Sequence, residues 1–414
     1  MTFAECNDSY FVSFRLRPQV CWGDRDFDLL LRTMRQLFSQ LDRLGNRVFN
    51  RSYGWIGVDI GCHAIHLAQV RRTESSWQLS AVWSVEHPST YTTEAAQNES
   101  TGEETFAWLT SESICNEGLA QTRDYLRNLN TLFKGRNCAA TLNDGMITYR
   151  EMELPQCDPS ESLAIVHSEI AIETESELEE LVAGCWQLPS RPRSITTSYG
   201  AASIKESTAL LLANDLLSAG FECQTLDAVP CAMARATEMV IEDKQAGTLA
   251  IDLGYKQATI ALVQAGQPIL SRALRNIGLL PFIEQIAKSF ELTVSDSQTL
   301  LFQFASSRSE SEDCSEQFAN PLQQLLNHYL QILSLEIEKT VDFASRTYRT
   351  ITPVKLLLMG DGARIPSLEH KLASRLGIPT QTWSIDRSRN LFGEHHISSF
   401  AIAAGLSSLA WEVA

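Results

Sequence analysis

The chain predicts an α/β protein built from two similarly organised halves, and three observations carry that expectation. Two strand-turn segments far apart follow one plan: Trp55-Ile-Gly-Val-Asp59-Ile-Gly61 and Thr248-Leu-Ala-Ile-Asp252-Leu-Gly254 each run apolar into Asp, an apolar residue and Gly, and a second strand-like run follows. After the second segment the order of elements repeats the order after the first. With 414 residues, 44% of them apolar, the chain can bury more than one core, so two domains are expected. A buried strand that delivers an Asp and then a Gly at a tight turn places a carboxylate and unblocked backbone N–H groups at one point, which suits a phosphate and its hydrated Mg²⁺. Two such hairpins facing each other across a cleft can hold a nucleotide's triphosphate tail.

Taken in order, Leu29, Leu30, Met34, Leu37, Phe38, Leu41, Leu44 and Val48 recur at helical spacing with arginines between. This amphipathic helix either docks on its own domain or offers a surface to a membrane or a partner helix. Past the first hairpin, 64–71 and 77–85 alternate as strands, 87–105 reads as a polar loop or a disordered insertion, and 112–134 as a helix. Strands at 137–142 and 147–154 flank Asn143-Asp144-Gly145, a hairpin signal. An acidic helix opens at Asp158-Pro159-Ser160 and runs through Glu161, Glu169 and Glu173. A strand from Ser194, a helix over 204–219, a return strand over 220–227 and a helix over 230–242 follow, with Gly220 as a C-cap.

The second half brings strands at 248–254, 259–264 and 269–274 and a helix over 280–290. A solvated polar link covers 306–316. A long helix over 321–350 leads to a buried strand, 354–359, that ends at Gly360-Asp361-Gly362-Ala363-Arg364-Ile365-Pro366 before a helix near Ser367. Strand, glycine loop and helix start form a recurrent anion contact.

Bulk properties narrow the function. A net charge of −16 and a pI near 5.0 argue against nucleic acid as a partner, because neutralising phosphates needs a basic face. The ten cysteines show neither a C-x-x-C pair nor regular spacing, which fits reduced thiols rather than disulfides or zinc. The apolar runs are short of the roughly 20 residues of a membrane span, and the N-terminus lacks the basic-then-apolar order of a secretion signal. His63 and His66, three apart on a strand-like segment, are expected on opposite faces and make a poor metal pair; His395-His396 reads as a surface turn. No residue presents itself as a catalytic base.

Asp59-Ile-Gly61, Asp252-Leu-Gly254 and Gly360-Asp-Gly362-Ala-Arg-Ile-Pro366, with Glu336-x-x-Lys339 on the helix before the third, form an ordered set. It resembles the actin-like ATPase superfamily, whose two phosphate loops and adenosine loop line an interdomain cleft. Within it the chain is similar to the PilM family of type IV pilus assembly. Met146–Leu154 with the acidic helix, 219–236, Gly266–Arg272 with Gly278, and 360–368 with Leu376-Gly-Ile-Pro379 extend the resemblance over about residues 53–410.

The resemblance implies two halves, each a mixed sheet flanked by helices, with a small subdomain inserted in the first. It divides the chain into an N-terminal extension (1–52), a first actin-like subdomain (53–144, continued at 221–246), an inserted partner-binding subdomain (145–220), a second actin-like subdomain (247–290 and 353–414) and a helical part (291–352). It implies that Asp59 and Asp252 hold Mg²⁺, Asp59 through water. Gly61, Cys62 and His63 would approach the β- and γ-phosphates of ATP, with Asp252 and Gly254 facing the γ-phosphate side. Tyr255 and Lys256 of the same loop are further cofactor-binding candidates, Lys256 either contacting phosphate or standing solvated at the hairpin tip. Glu336 and Lys339 would meet ribose and adenine, while Gly360, Asp361, Gly362 and Arg364 form the adenosine loop.

The implied partner is a PilN-like inner-membrane protein, gripped by its cytoplasmic N-terminal peptide. That would put the chain in the cytoplasm at the inner face of the inner membrane, associated peripherally through its partner, with homo-oligomerisation left open.

The chain departs from the family at Cys62 and His63, where small hydroxyl residues are usual, at Tyr255-Lys-Gln257, where small residues stand, and at Asp361, where glycine is typical. Asp361 either faces the polyphosphate or turns outward. These departures point to nucleotide binding with weak or no ATPase activity, that is, to a scaffold. Alternatives on the same fold are an FtsA-like membrane-tethering filament protein, which usually carries a basic amphipathic tail where this chain has Leu409-Ala-Trp-Glu-Val-Ala414, and a small-molecule kinase, for which no acidic base stands out.

Overall fold

The structure, a computed structural model, describes residues 52–86 (without 62 and 74–75), 129–142 (without 130), 148–188 (without 156 and 175), 196–306, 316–348, 351–387 and 396–412. The amphipathic helix at 29–48, the 87–105 loop, nearly all of the 112–134 helix, the 143–145 turn, Cys62, most of the 306–316 link and His395 lie outside the described residues.

Three sheets result. In the first half, β1 (Ile56–Ile60), β2 (Ala64–Arg72), β3 (Trp77–Glu86), β4 (Asn137–Leu142) and β8 (Glu222–Asp227) form a sheet in the order β3-β2-β1-β4-β8. β1, β2 and β3 pair antiparallel, while β4 and β8 add in parallel. The second half builds the same order from β9 (Gly247–Leu253), β10 (Ala258–Gln264), β11 (Gln267–Leu274), β12 (Pro353–Met359) and β13 (Thr380–Thr382): β11-β10-β9-β12-β13. The central strands β1 and β9 read as near-continuous apolar runs because both faces are covered. A two-residue strand from the second half, β14 (Asp386–Arg387), extends the first sheet beyond β3.

The third sheet, β5-β7-β6, is antiparallel and lies within the inserted segment: β5 (Thr148–Pro155), β6 (Leu181–Gln187) and β7 (Thr196–Lys205). Its period-two alternation shows on β6. Leu181, Ala183 and Cys185 join the cluster of Val166 and Ile170 on α1 (Pro159–Glu173), while Val182 and Trp186 face Ala209, Leu212 and Leu216 on α2 (Glu206–Ser218). Sequence periodicity places the start of α2 at 204, whereas β7 runs on to Lys205. Ile204 is a β-branched residue buried in the sheet core, and packing there overrides helix extension.

Two short helices lock the halves together. α3 (Val229–Glu238) follows β8 but packs on β9, β10 and β11 of the second half. The helix Ala401–Ser407 belongs to the second half but packs on β1, β2 and β4 of the first. The two cross closely enough that a side chain on Gly405 would collide with the Ala232 carbonyl. Alanines 232, 234, 236, 401, 403 and 404 are buried there, since only small side chains let backbones approach this far. The guanidinium of Arg235, on α3, is buried with Asp227 and donates from Nε to Glu412 at 2.7 Å. Burial opposes its charge, but Asp227 and Glu412 raise its pKa further.

The second core lies between β9–β12 and three helices: α4 (Leu279–Phe290), α5 (Val294–Ser306) and α6 (Glu316–Thr347). α6 starts five residues before the predicted Pro321 and carries that proline inside, at the expense of one backbone hydrogen bond. α7 (Leu368–Leu376) ends at Gly377 in the left-handed conformation. The remaining helices, α8 (Ala401–Ser407, described above) and α9 (Leu409–Glu412), close the described chain.

Candidate functional site

Both Asp-x-Gly segments end their central strands in the same way. Asp59 and Asp252 are each the penultimate residue of β1 and β9. Each lies opposite a residue seven positions on across the hairpin, His66 for Asp59 and Thr259 for Asp252. The Gly61 N–H donates to the Ala64 carbonyl at 3.0 Å, and a Cβ on Gly61 would press on that oxygen. A Cβ on Gly254 would likewise press on the Gln257 carbonyl.

These turns meet across one cavity of about 80 Å³. Asp59, Gly61, His63 and His66 line it from the first half, and Asp252, Gly254, Tyr255, Lys256, Gly360 and Asp361 line it from the second. Two carboxylate-and-glycine turns therefore form opposite walls of a single interdomain cleft. Nine of the residues singled out from sequence are in this wall: Asp59, Gly61, His63, Asp252, Gly254, Tyr255, Lys256, Gly360 and Asp361.

The third loop is packed against the second turn. Gly360 has φ near +80°, and a side chain there would collide with Asp252 Oδ1, so both backbone conformation and space require glycine. Gly362 is buried against Leu253. Asp361 faces inward: its Oδ2 lies 3.4 Å from His66 Nε2, which settles the alternative of an outward-turned side chain. Burial raises the Asp361 carboxyl, but the hydrogen bond and charge of His66, a hydrogen bond from Ser399 and the charge of Arg364 outweigh it and hold it well below the carboxylate range. For His66, burial disfavours the imidazolium, and Asp361 with the charges of Asp59 and Asp252 overcomes this, so its pKa is raised. His66 Nδ1 is buried without a hydrogen-bond partner in the structure.

His63 and His66 do not point to opposite faces of one strand. His63 lies in the bend before β2 begins at Ala64, so strand alternation does not reach it, and both rings line the cleft. The His63 ring stacks on Tyr255 of the second turn with centroids 3.8 Å apart and planes 11° from parallel. Both turns are thus joined by a ring pair. A second cavity of about 140 Å³, lined by Arg364, Gln298 and Phe400, shares His63, His66, Tyr255 and Asp361 with the first.

Glu336 and Lys339 are not among the residues lining either cavity. Glu336 accepts from Lys339 and from Arg272 of β11, each at 2.5 Å, and these cations lower its pKa against the effect of burial, the Lys339 hydrogen bond most. Cys62 lies outside the described residues. Sequence reasoning passed over Thr259 and Ser399, set His66 aside as half of a poor metal pair and met Gln257 only as a departure from the family. His66, Gln257 and Thr259 could have been found from the hairpin register, seven and three positions after each Asp and Gly.

As a phosphate site the wall fits in part. Carboxylate oxygens at Asp59 and Asp252 are the hard donors that hydrated Mg²⁺ takes, and glycines leave the turns open to an anion. Small-molecule pockets run to roughly 300–1,000 Å³, so the cavity as it stands matches a phosphate group rather than a whole nucleotide. Among the described residues no helix is long and apolar enough to cross a membrane, and no group of three or more His, Cys, Asp or Glu is arranged to hold a metal ion.

No protein-family model and no curated protein sequence matches the chain. Among solved structures it is similar to the PilM-PilN type IV pilus biogenesis complex, at 18% identity and a TM-score of 0.63, covering 86% of this chain and 98% of that one. It is similar at 12% identity to the ethanolamine utilization protein EutJ from Carboxydothermus hydrogenoformans (TM-score 0.47; 87% and 90% covered). MreB5 of Spiroplasma citri bound to ADP is similar at the same identity (TM-score 0.44; 86% and 95% covered). The chain has the actin-like ATPase fold. Its version of that fold is PilM-like, matching nearly the whole length of that structure.

Proposed function

We propose that the protein is a PilM-like scaffold of a type IV pilus or type II secretion-type assembly platform, working in the cytoplasm at the inner face of the inner membrane. The observation that carries this reading is the PilM-like fold, matched over 98% of the PilM-PilN chain. The inserted subdomain (145–220) would grip the cytoplasmic N-terminal peptide of a PilN-like membrane protein. Exposed apolar side chains support this: Ile172 is 74% exposed and Leu178 44%, with Leu217 on α2 at 50%.

In this reading the cleft between the turns takes the phosphate tail of a nucleotide with Mg²⁺. Asp59 and Asp252 would hold the ion's waters, and the Gly61 and Gly254 turns would bring backbone N–H groups to the phosphates. The bound group supplies a charge bridge between the halves, favouring one relative position of them and so one shape of the peptide groove. No residue is assigned as a base, so the role is binding rather than turnover.

The test is direct. A peptide from the cytoplasmic tail of a co-encoded single-span membrane protein should bind the full chain, and Ile172→Glu should weaken binding at least tenfold without changing thermal stability. Absence of binding with and without ATP and Mg²⁺ would remove the scaffold reading.

A further inference from the structure

The residues that set this cleft apart are the ones that join its walls. His63, at the tip of the first turn, and Tyr255, in the second, stack at 3.8 Å with nearly parallel planes. Ring atoms at that separation are in van der Waals contact, and no third group fits between them. The same two rings, with His66 and Asp361, line both cavities of the cleft and form the wall between them. An anion held by one turn can sit beside this wall. A phosphate within the first cavity touches both turns with the stack closed, whereas a tail that outgrows that cavity and enters the second must displace it.

We propose that the His63–Tyr255 stack sets the length of phosphate tail the cleft accepts, favouring a nucleoside diphosphate over a triphosphate; the inference rests on reading the cleft as a phosphate site. A second feature acts in the same direction. Asp361 adds a third carboxylate to Asp59 and Asp252 in the first cavity, where Lys256 is the lysine in the lining and the charge of Asp361 is offset by His66 at 3.4 Å and by Arg364. Each additional phosphate charge therefore meets an acidic wall once the stack is opened. Aromatic pairs of this kind correspond to roughly two- to twelvefold in an equilibrium constant, and that sets the scale of the discrimination.

The test measures binding of ADP and of a non-hydrolysable ATP analogue, each with Mg²⁺, to the full chain and to Tyr255→Ala, His63→Ala and Tyr255→Phe. The wild type should bind ADP several-fold more tightly than the triphosphate. Tyr255→Ala and His63→Ala should bring the ratio towards one by tightening triphosphate binding, while Tyr255→Phe, which keeps a ring in the stack, should preserve it. Hydrogen exchange gives a reading without nucleotide: exchange at residues 61–64 should speed up in Tyr255→Ala and stay slow in Tyr255→Phe. Equal affinities in the wild type, or a ratio unmoved in both alanine variants, would overturn the proposal and leave the phosphate site standing. No binding of either nucleotide by wild type and variants alike would instead remove the phosphate site, and the length filter with it.

Discussion

The two Asp-x-Gly turns share one backbone and are held in place by different means. The second is anchored through its main chain: its Gly254 and Tyr255 carbonyls accept from the Leu279 and Leu280 N–H groups at the start of α4, and Gly278 lies against Lys256 and Gln257. In the first turn the described contacts across the cleft are made by side chains, His63 on Tyr255 and His66 on Asp361. The same hairpin position is His66 in one half and Thr259 in the other. One half thus supplies a fixed platform, and the other reaches across to it with titratable rings. A duplicated fold can keep its geometry in both copies while the side chains that meet across the cleft differ between them.

The largest expected effect breaks the join between the halves. Arg235 reaches Asp227 at the end of β8 and Glu412 near the end of the described chain, so Arg235→Met leaves a buried carboxylate without its cation. Removing one partner of a buried pair costs about 3–5 kcal/mol, and urea unfolding should show a fall of that order. A loss below about 1 kcal/mol would mean that the alanine packing alone holds the two halves.

Next in size is an asymmetry between the central strands. Gly57 on β1 stands where β9 has Ala250, each two residues before the Asp. A Cβ on Gly57 would run into the Ala403 carbonyl on α8, a backbone atom with no freedom to withdraw. Gly57→Ala is expected to cost ~3 kcal/mol by overpacking, whereas Ala250→Gly should cost only about 1 kcal/mol. Equal small effects in the two unfolding curves would show that β1 and β9 are interchangeable at this point.

Much of this arrangement was legible in the sequence because its determinants are local. A strand buried on both faces is an unbroken apolar run, and Asp-x-Gly after it is a turn with a carboxylate at its base, so Asp59, Gly61, Asp252 and Gly254 were found by reading along the chain. Contacts made at long range were not. Glu336 and Lys339 share one helical face, but Arg272, 64 residues away, is what occupies the second carboxylate oxygen. β14 is two residues long and carries no period, and α8 is buried on all sides, so neither announces that it belongs with the other half's sheet. His66 was misjudged because alternation was counted from His63, which precedes the strand. A family-like motif gave the walls of the cleft; the ring stack between them depends on two substitutions whose meeting only the folded chain displays.

The smallest expected effect makes the first turn resemble the second. In His66→Thr the imidazole that faces Asp361, Asp59 and Asp252 is replaced by the residue type found at 259. The folded-state pKa of His66 is raised above its ordinary 6.5, so its stabilising contribution is complete below that value and is lost as pH rises through the raised one. Asp361 is lowered from its ordinary 3.8, so its contribution is present above that value and is lost as pH falls further into acid. The pair therefore supports the fold most between these two ordinary values, through a charge-assisted contact of about 1 kcal/mol. In metal-free buffer the wild type should lose about that much stability from pH 6 to pH 9 relative to His66→Thr. Parallel profiles would show that His66 faces Asp361 as a neutral imidazole in the folded protein, with no raised pKa.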